Sequence, residues 1–177
     1  MLKKLAIILA VISMPIFANA EIPAAKIAIV DVSKVMSDST AIKQANVALQ
    51  AKRDEYQKQI SAEEVGLKKA EEDLAKQKGI LSKEALTEKQ KQFIDQVNKA
   101  RNGVQVSKGK LDKAHREALV KVQVAIRDIV TAMATEQGFN VALPAEPLIF
   151  GAQSLDITAE VIKRLNEKLP SVALKFE

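Results

Sequence analysis

From about Ser39 to Glu136 the chain contains no Pro, and its apolar residues return at seven-residue intervals. Ile42, Leu49 and Tyr56 form one series, and Ile60, Leu67, Leu74 and Leu81 a second. Further on, Phe93, Ala100, Ser107 and Ala114 alternate with Val97, Val104, Leu111 and Ala118. These are the d and a positions of heptads, and they predict one long helix going out and another coming back. If the chain folds back between Lys83 and Glu84, facing residues have numbers that sum to 167. Leu81 then meets Leu86, Leu74 meets Phe93, Leu67 meets Ala100, Ile60 meets Ser107, Tyr56 meets Leu111 and Leu49 meets Ala118. Each a position faces a d position, as an antiparallel coiled-coil hairpin requires. The same register sets Glu64 across from Arg101 and Lys52 across from Glu117, exposed pairs worth at most roughly 0.5 kcal/mol each.

The outbound helix can be capped by Ser37, Asp38 or Ser39 and runs for roughly 40 residues, about 60 Å at helical rise. Polar layers interrupt its seam, with Arg53 opposite Ala114, Glu63 opposite Val104 and Gln77 opposite Gln90. Gly79 is a plausible terminator, and Ser82 or Thr87 can cap the return, Thr87 and Gln90 matching a capping box. A tip within 79–87 exposes Ile80 and Leu81 beside Lys76, Lys78, Lys83, Lys89 and Lys91. Gly66 and Gly103 fall at g positions of the same height and are hinge candidates. After Ala118 the heptad slips into a wider stripe of Val122, Ile126, Ile129, Val130 and Met133, which needs more than one neighbour. There the helix stops being an arm and packs into a head, ending at Gly138.

The chain ends supply the head. Lys3 and Lys4, the apolar run Leu5 to Ile12, and Ala18-Asn19-Ala20 read as a cleaved secretory signal peptide over 1–20. The mature chain then starts at Glu21, outside the cytoplasm. With no Cys it takes no lipid anchor and no disulfide, so packing or assembly must hold it. The formal charge of +5 falls to +3 once Lys3 and Lys4 leave, so acidic partners are favoured only through local clustering. Lys26 to Val32 reads as a strand buried on both faces, and Ser33 to Met36 as one helical turn. Phe139 to Leu143 and Leu148-Ile149-Phe150 read as two further short strands on either side of a Pro144–Pro147 turn. Thr158 or Asp156 caps a helix bearing Val161, Ile162 and Leu165, which Pro170 stops. Beyond it Val172, Leu174 and Phe176 alternate, as a short edge strand or as a frayed tail. Such strands leave open edges that other copies would close. Ile27, Ile29, Val30, Val141, Leu143 and Ile149 are the interface candidates. The expected organisation is a signal peptide over 1–20, head over 21–37, helical hairpin over 38–137, and head again over 138–177.

The constellations that enzymes need are missing. The single His, His115, occupies an e position as a solvated helix residue. The stretch Gly103 to Lys110 only superficially suggests a phosphate loop. It has one residue too many between its glycines, Leu111 stands where Ser or Thr should, and it lies mid-helix. The carboxylate runs Glu63-Glu64 and Glu71-Glu72-Asp73 point about 100° apart per residue and are solvated faces. No catalytic, cofactor-binding or metal-binding residue is expected, and the chain does not read as an enzyme. Val47, Val65, Ile94 and Val106 lie outside the seam at b, f, e and c positions. They are either isolated surface aliphatics or a dilute apolar surface that binds unfolded chains weakly. On the second reading Val65, Ile94 and Val106 join the tip residues Lys76, Lys78, Ile80, Leu81, Lys83, Lys89 and Lys91 as contact candidates.

The leader, the strand Lys26-Ile27-Ala28-Ile29-Val30-Asp31, the charged hairpin, Phe139-Asn140-Val141-Ala142-Leu143, and Asp156-Ile157-Thr158-Ala159-Glu160-Val161-Ile162 together resemble the Skp (OmpH-like) family of periplasmic chaperones. The resemblance spans nearly the whole mature chain. It implies an α+β, mostly α architecture, with a long antiparallel coiled-coil hairpin projecting from a small β-rich trimerisation head. It also implies a homotrimer whose three arms enclose a cavity, holding unfolded outer-membrane proteins without ATP or any cofactor. The tail from Glu167 to Glu177 is longer than the family's pattern. A contact with acidic membrane surfaces also suits the lysines. A basic nucleic-acid binder is disfavoured by secretion and by the lack of an aromatic stacking platform. A structural coiled-coil spacer between envelope layers would continue its rod rather than turn back.

Overall fold

The structure, a computed structural model, describes residues 23–177, so the signal peptide expected over 1–20 lies outside the described residues. Strand β1 (Ile27–Val30) leads through helix α1 (Val32–Asp38) into α2 (Thr40–Gln77) and α3 (Lys83–Gln137), followed by strand β2 (Val141–Pro144) and helix α4 (Thr158–Lys168).

Hydrogen-bonding side chains set these boundaries. Asp31 accepts from the Lys34 N–H at 2.8 Å and so starts α1. Of the three candidate caps for α2 the structure selects Ser39, which is fully buried. Its Oγ accepts from the Ile42 N–H at 3.3 Å and donates to the Met36 carbonyl at 3.2 Å, satisfying a group of each helix. Gly138 closes α3 at φ 74°, a left-handed conformation that a Cβ disfavours. At α4 neither candidate is the cap: that position is Ile157, which makes no side-chain capping bond, and the two candidates serve as flanking ties. Asp156 accepts from the Thr158 N–H at 2.8 Å, and the Thr158 hydroxyl accepts from the Asp31 N–H at 2.9 Å.

β1 and β2 pair in parallel, with Ile27 opposite Val141 and Val30 opposite Pro144. Parallel strands need a crossover, and here it is the whole of α1, α2 and α3. Asn140 pins the pair: its Oδ1 accepts from Lys26 N at 2.8 Å, and its Nδ2 donates to the Ala24 carbonyl at 3.0 Å. On its other side β1 bridges to Asp156 through Ile29, whose carbonyl accepts from Ile157 N at 2.9 Å. Burial on both faces holds for Ala28, Ile29 and Val30 but not for Ile27 or β2. Leu148-Ile149-Phe150 is not a strand. Pro144 and Pro147 lack N–H donors, and Leu148 N turns back to the Ala145 carbonyl at 3.0 Å. The terminal residues form no strand either, and they are not frayed: Val172 is buried in the core and Leu174 packs against it.

The core is the wide stripe of α3 with everything that lies on it. Val122, Ala125, Ile126, Ile129 and Met133 pack with Ala41, Ile42 and Ala45 of α2, Val30 of β1, Val35 of α1, Val161 and Leu165 of α4, and Val172. Two polar ties close the periphery. Asn166 accepts from both the N–H and the hydroxyl of Thr40, at 2.9 and 3.1 Å. Arg164 reaches Glu136 at 2.7 Å and Glu160 at 2.8 Å. Along the arm the seam residues Ile60, Leu67, Leu74, Phe93 and Ala100 are only half-buried, having one neighbouring helix each. Truncating Leu165 to Ala should therefore cost about 2–5 kcal/mol in equilibrium denaturation. Leu67→Ala should fall clearly below that range, and equal losses would mean that the arm is packed as tightly as the core.

Candidate functional site

Beyond the core, α2 and α3 lie against each other and share a row of open grooves. One is lined by Leu74, Gln77, Lys89 and Phe93, the next by Glu63, Gly66, Leu67, Gln96 and Ala100, and another by Tyr56, Ile60, Ser107 and Leu111. Residue numbers fall along α2 as they rise along α3, and Leu74 with Phe93, Leu67 with Ala100 and Tyr56 with Leu111 share grooves as the heptads predict. The cross-helix ion pairs do not form: among the described residues no ion pair joins α2 to α3. Lys52 turns instead to Glu55 of its own helix at 2.8 Å, a short-range partner that needs less ordering of two long side chains. That hydrogen bond, first among several causes, holds its ammonium above the usual lysine range.

The turn spans 78–82, a few residues before the fold-back point inferred from the heptads. Gln77 O accepts from both Ile80 N and Leu81 N at 3.0 Å. Ser82 caps α3 by accepting from Ala85 N at 3.2 Å. Thr87 forms no capping box, because its hydroxyl donates to the Lys83 carbonyl inside the first turn. Ile80 is 83% exposed and Leu81 partly covered. Lys76 lies 3.8 Å from Asp73, while Lys78, Lys83, Lys89 and Lys91 are exposed with no ion pair among the described residues. Glu84 and Glu88 dilute this charge, so the tip is only moderately basic.

Val47, Val65, Ile94 and Val106 are all exposed; Val47 and Val65 stand 18 residues apart on one line of α2, whereas Ile94 and Val106, 12 apart on α3, do not align. Two further exposed aliphatics, Val120 and Val124, do align with Val106. A spacing of 18 residues from Val106 to Val124 is five helical turns, a signal already present in the sequence once c and g positions are followed as well as a and d. His115 is exposed beside Leu49 and Leu111. Among the described residues no group of three His, Cys, Asp or Glu side chains could hold a metal ion.

The head candidates separate into two groups. Ile29 and Val30 are covered by this chain's own residues, Leu143 is half-buried, and Ile27 and Val141 lie at the surface. Ile149 is fully exposed and Phe150 is 85% exposed, beside a groove lined by Ile29, Ala145, Leu148 and Gly151. Phe150 was not among the candidates, because a strand over 148–150 would have turned it away from Ile149.

A family model described as Outer membrane protein (OmpH-like) matches residues 26–165. The chain belongs to the OmpH-like family. Its fold is also that of a candidate outer membrane chaperone (OmpH-like) of Caulobacter crescentus CB15, whose crystal structure superposes with a TM-score of 0.76 at 17% identity, covering 89% of this chain and 94% of that one. No curated protein matches. In this OmpH-like chain no helix among the described residues is long and apolar enough to cross a membrane.

The groove beside Gly66 holds about 480 Å³, against about 220 Å³ at Leu74 and Phe93. Glu63 is exposed there, and Val104, a seam position, remains 37% exposed. A Cβ added at Gly66 or Gly103 would meet nothing within 4 Å, and neither residue has a positive φ. Each Gly→Ala change should thus raise stability by about 0.8–1.0 kcal/mol. Urea unfolding of the double variant checks this, and a loss of stability would show that the helices need glycine at that height.

Proposed function

We propose that this chain is an ATP-independent periplasmic holdase that keeps unfolded outer-membrane proteins soluble. The observation that carries this reading is apolar exposure with no use in the chain's own fold: Ile80 at the tip, and Val65, Ile94, Val106, Val120 and Val124 along the arm. Scattered aliphatics on a charged surface make many weak, adaptable contacts, which suits clients of no fixed shape. The family and the chaperone description of the Caulobacter relative agree with it.

On this reading 1–20 is a leader removed on secretion, 21–37 and 138–177 form a head, and 38–137 is an antiparallel coiled-coil arm. Three heads assemble through Ile149, Phe150, Ile27 and Val141, so that three arms enclose the client. The unpaired lysines of the tip add attraction for acidic segments and for acidic membrane surfaces, and Gly66 with Gly103 lets the arms spread. A spacer between envelope layers fits less well, since both ends of the arm return to the same core.

Two experiments test these parts separately. Reversing Lys76, Lys78, Lys83, Lys89 and Lys91 to Glu should slow capture of an acidic, urea-denatured outer-membrane protein by about ten-fold or more at low salt. The difference should shrink at high ionic strength. Capture insensitive to both reversal and salt would remove the electrostatic part. For assembly, Ile149→Ser with Phe150→Ser should release folded monomers in sedimentation at micromolar concentration. Ile29→Asp is unsuitable here, because Ile29 belongs to the chain's own interior and its change would unfold the head. A wild-type chain that sediments as a monomer would overturn the trimer.

A further inference from the structure

The residues after α4 lie on the molecule in a way that the architecture above does not require. From Ser171 to Glu177 the side chains alternate: Val172 is buried, Leu174 and Phe176 are half-buried, and Ser171, Ala173, Lys175 and Glu177 are exposed. Val172 enters the core, Leu174 rests on it, and Phe176 reaches the base of α2. There the Lys52 ammonium lies 5.9 Å from the Phe176 ring centroid and 5.0 Å from that of Tyr56, between two aromatic faces. The segment alternates like a strand but belongs to none, and beyond Leu169 none of its N–H groups has a backbone partner among the described residues. Among the described residues it is held by every second side chain and by no backbone hydrogen bond, so side-chain burial alone keeps it in place.

We propose that the seat of this tail, running from the core at Val172 to Lys52 and Tyr56, is a binding site for extended segments with apolar residues at every second position, and that the tail occupies it in the free protein as a displaceable stand-in. The ligand class follows from what sits there. Pockets that accept alternate side chains of an extended chain select a strand-forming sequence. The final position, beside the Lys52 ammonium, selects an aromatic ring. Strands of a membrane barrel carry this two-residue alternation, so an unfolded barrel protein would offer many competing segments. The site rests on the holdase reading for its client, but the seat and its plug are testable without one.

The probe is a fluorescent peptide with the sequence of Leu169 to Glu177, followed by anisotropy. It should bind a chain ending at Pro170 at least ten-fold more tightly than the full chain. A peptide carrying V172S, L174S and F176S should not bind. Because truncation removes Val172 from the core, a full-length L174S/F176S variant serves as a second acceptor, and circular dichroism checks that both are folded. Both should also capture a denatured barrel protein faster than the full chain. If the folded variants bind the peptide no better than the full chain while client capture persists, the tail is a fixed strap and the site is refuted, with the holdase reading intact. If the peptide binds as expected but no form captures a client, the holdase reading fails and the assignment of the seat to clients fails with it.

Discussion

Everything in this chain is referred to one strip of α3. From Val122 to Met133 the helix presents apolar residues broad enough to face several neighbours at once, and α2, β1, α1, α4 and the tail each contribute between one and three side chains to it. The short pieces could not be stable alone. β1 and β2 are four residues each, α1 is seven and α4 eleven, all below the length at which an isolated helix or strand pair holds in water. Alanines at 41, 45, 118 and 125 let the partners approach closely enough for this small core to exclude water. The arm is the continuation of that strip into a region where only one neighbour is left.

This accounts for the gradient in burial along the two long helices. Leu49, Ala114 and Ala118 near the core are buried, whereas the seam from Tyr56 to Leu81 is half-exposed. A helix pair with such a seam draws much of its order from being anchored at one end, where the core fixes both chains. Local opening should be easiest toward the tip and at the height of Glu63, Gly66 and Gly103, where the seam is least covered. Stability and adaptability are thus separated in space within one pair of helices.

Much of this was legible in the sequence, for a physical reason. Heptads, the slip after Ala118 and the helix end at Gly138 are local signals, because caps and periodicity act over a few residues, whereas Ser39 is one of three candidate caps and Ser82 one of two. What escaped depends on distant partners. That β1 pairs with β2 in parallel across the whole crossover is not written in either strand. Whether Leu148-Ile149-Phe150 extends or turns depends on two prolines removing donors, and whether Lys52 bonds Glu117 or Glu55 is a contest between similar small energies. The tail showed its alternation, but its seat is built from residues far away in the chain. Of the surface, Ile80 and the lysines of the tip were legible as exposed; Phe150 was not, because 148–150 reads as a strand, nor were Val120 and Val124, which lie at c and g positions outside the a and d series.

The uncovered apolar residues divide by distribution. Ile149 and Phe150 stand side by side on a head whose strand β2 has an open outer edge, and two large adjacent side chains in solvent are costly unless one fixed surface covers them. Along the arm the exposed aliphatics are mostly separated by polar residues, so each costs little by itself and no single rigid surface could cover them all. A concentrated patch suits one permanent partner of defined shape, and copies of the same chain have that property. A dispersed set suits partners whose own apolar residues are mobile, which is a property of unfolded chains. The two kinds of exposure occur on the two parts that differ in packing: the tight head carries the patch, and the loosely covered arm carries the scatter. On the proposed function, rigidity would lie where a defined contact needs it, and compliance where the contacts must vary.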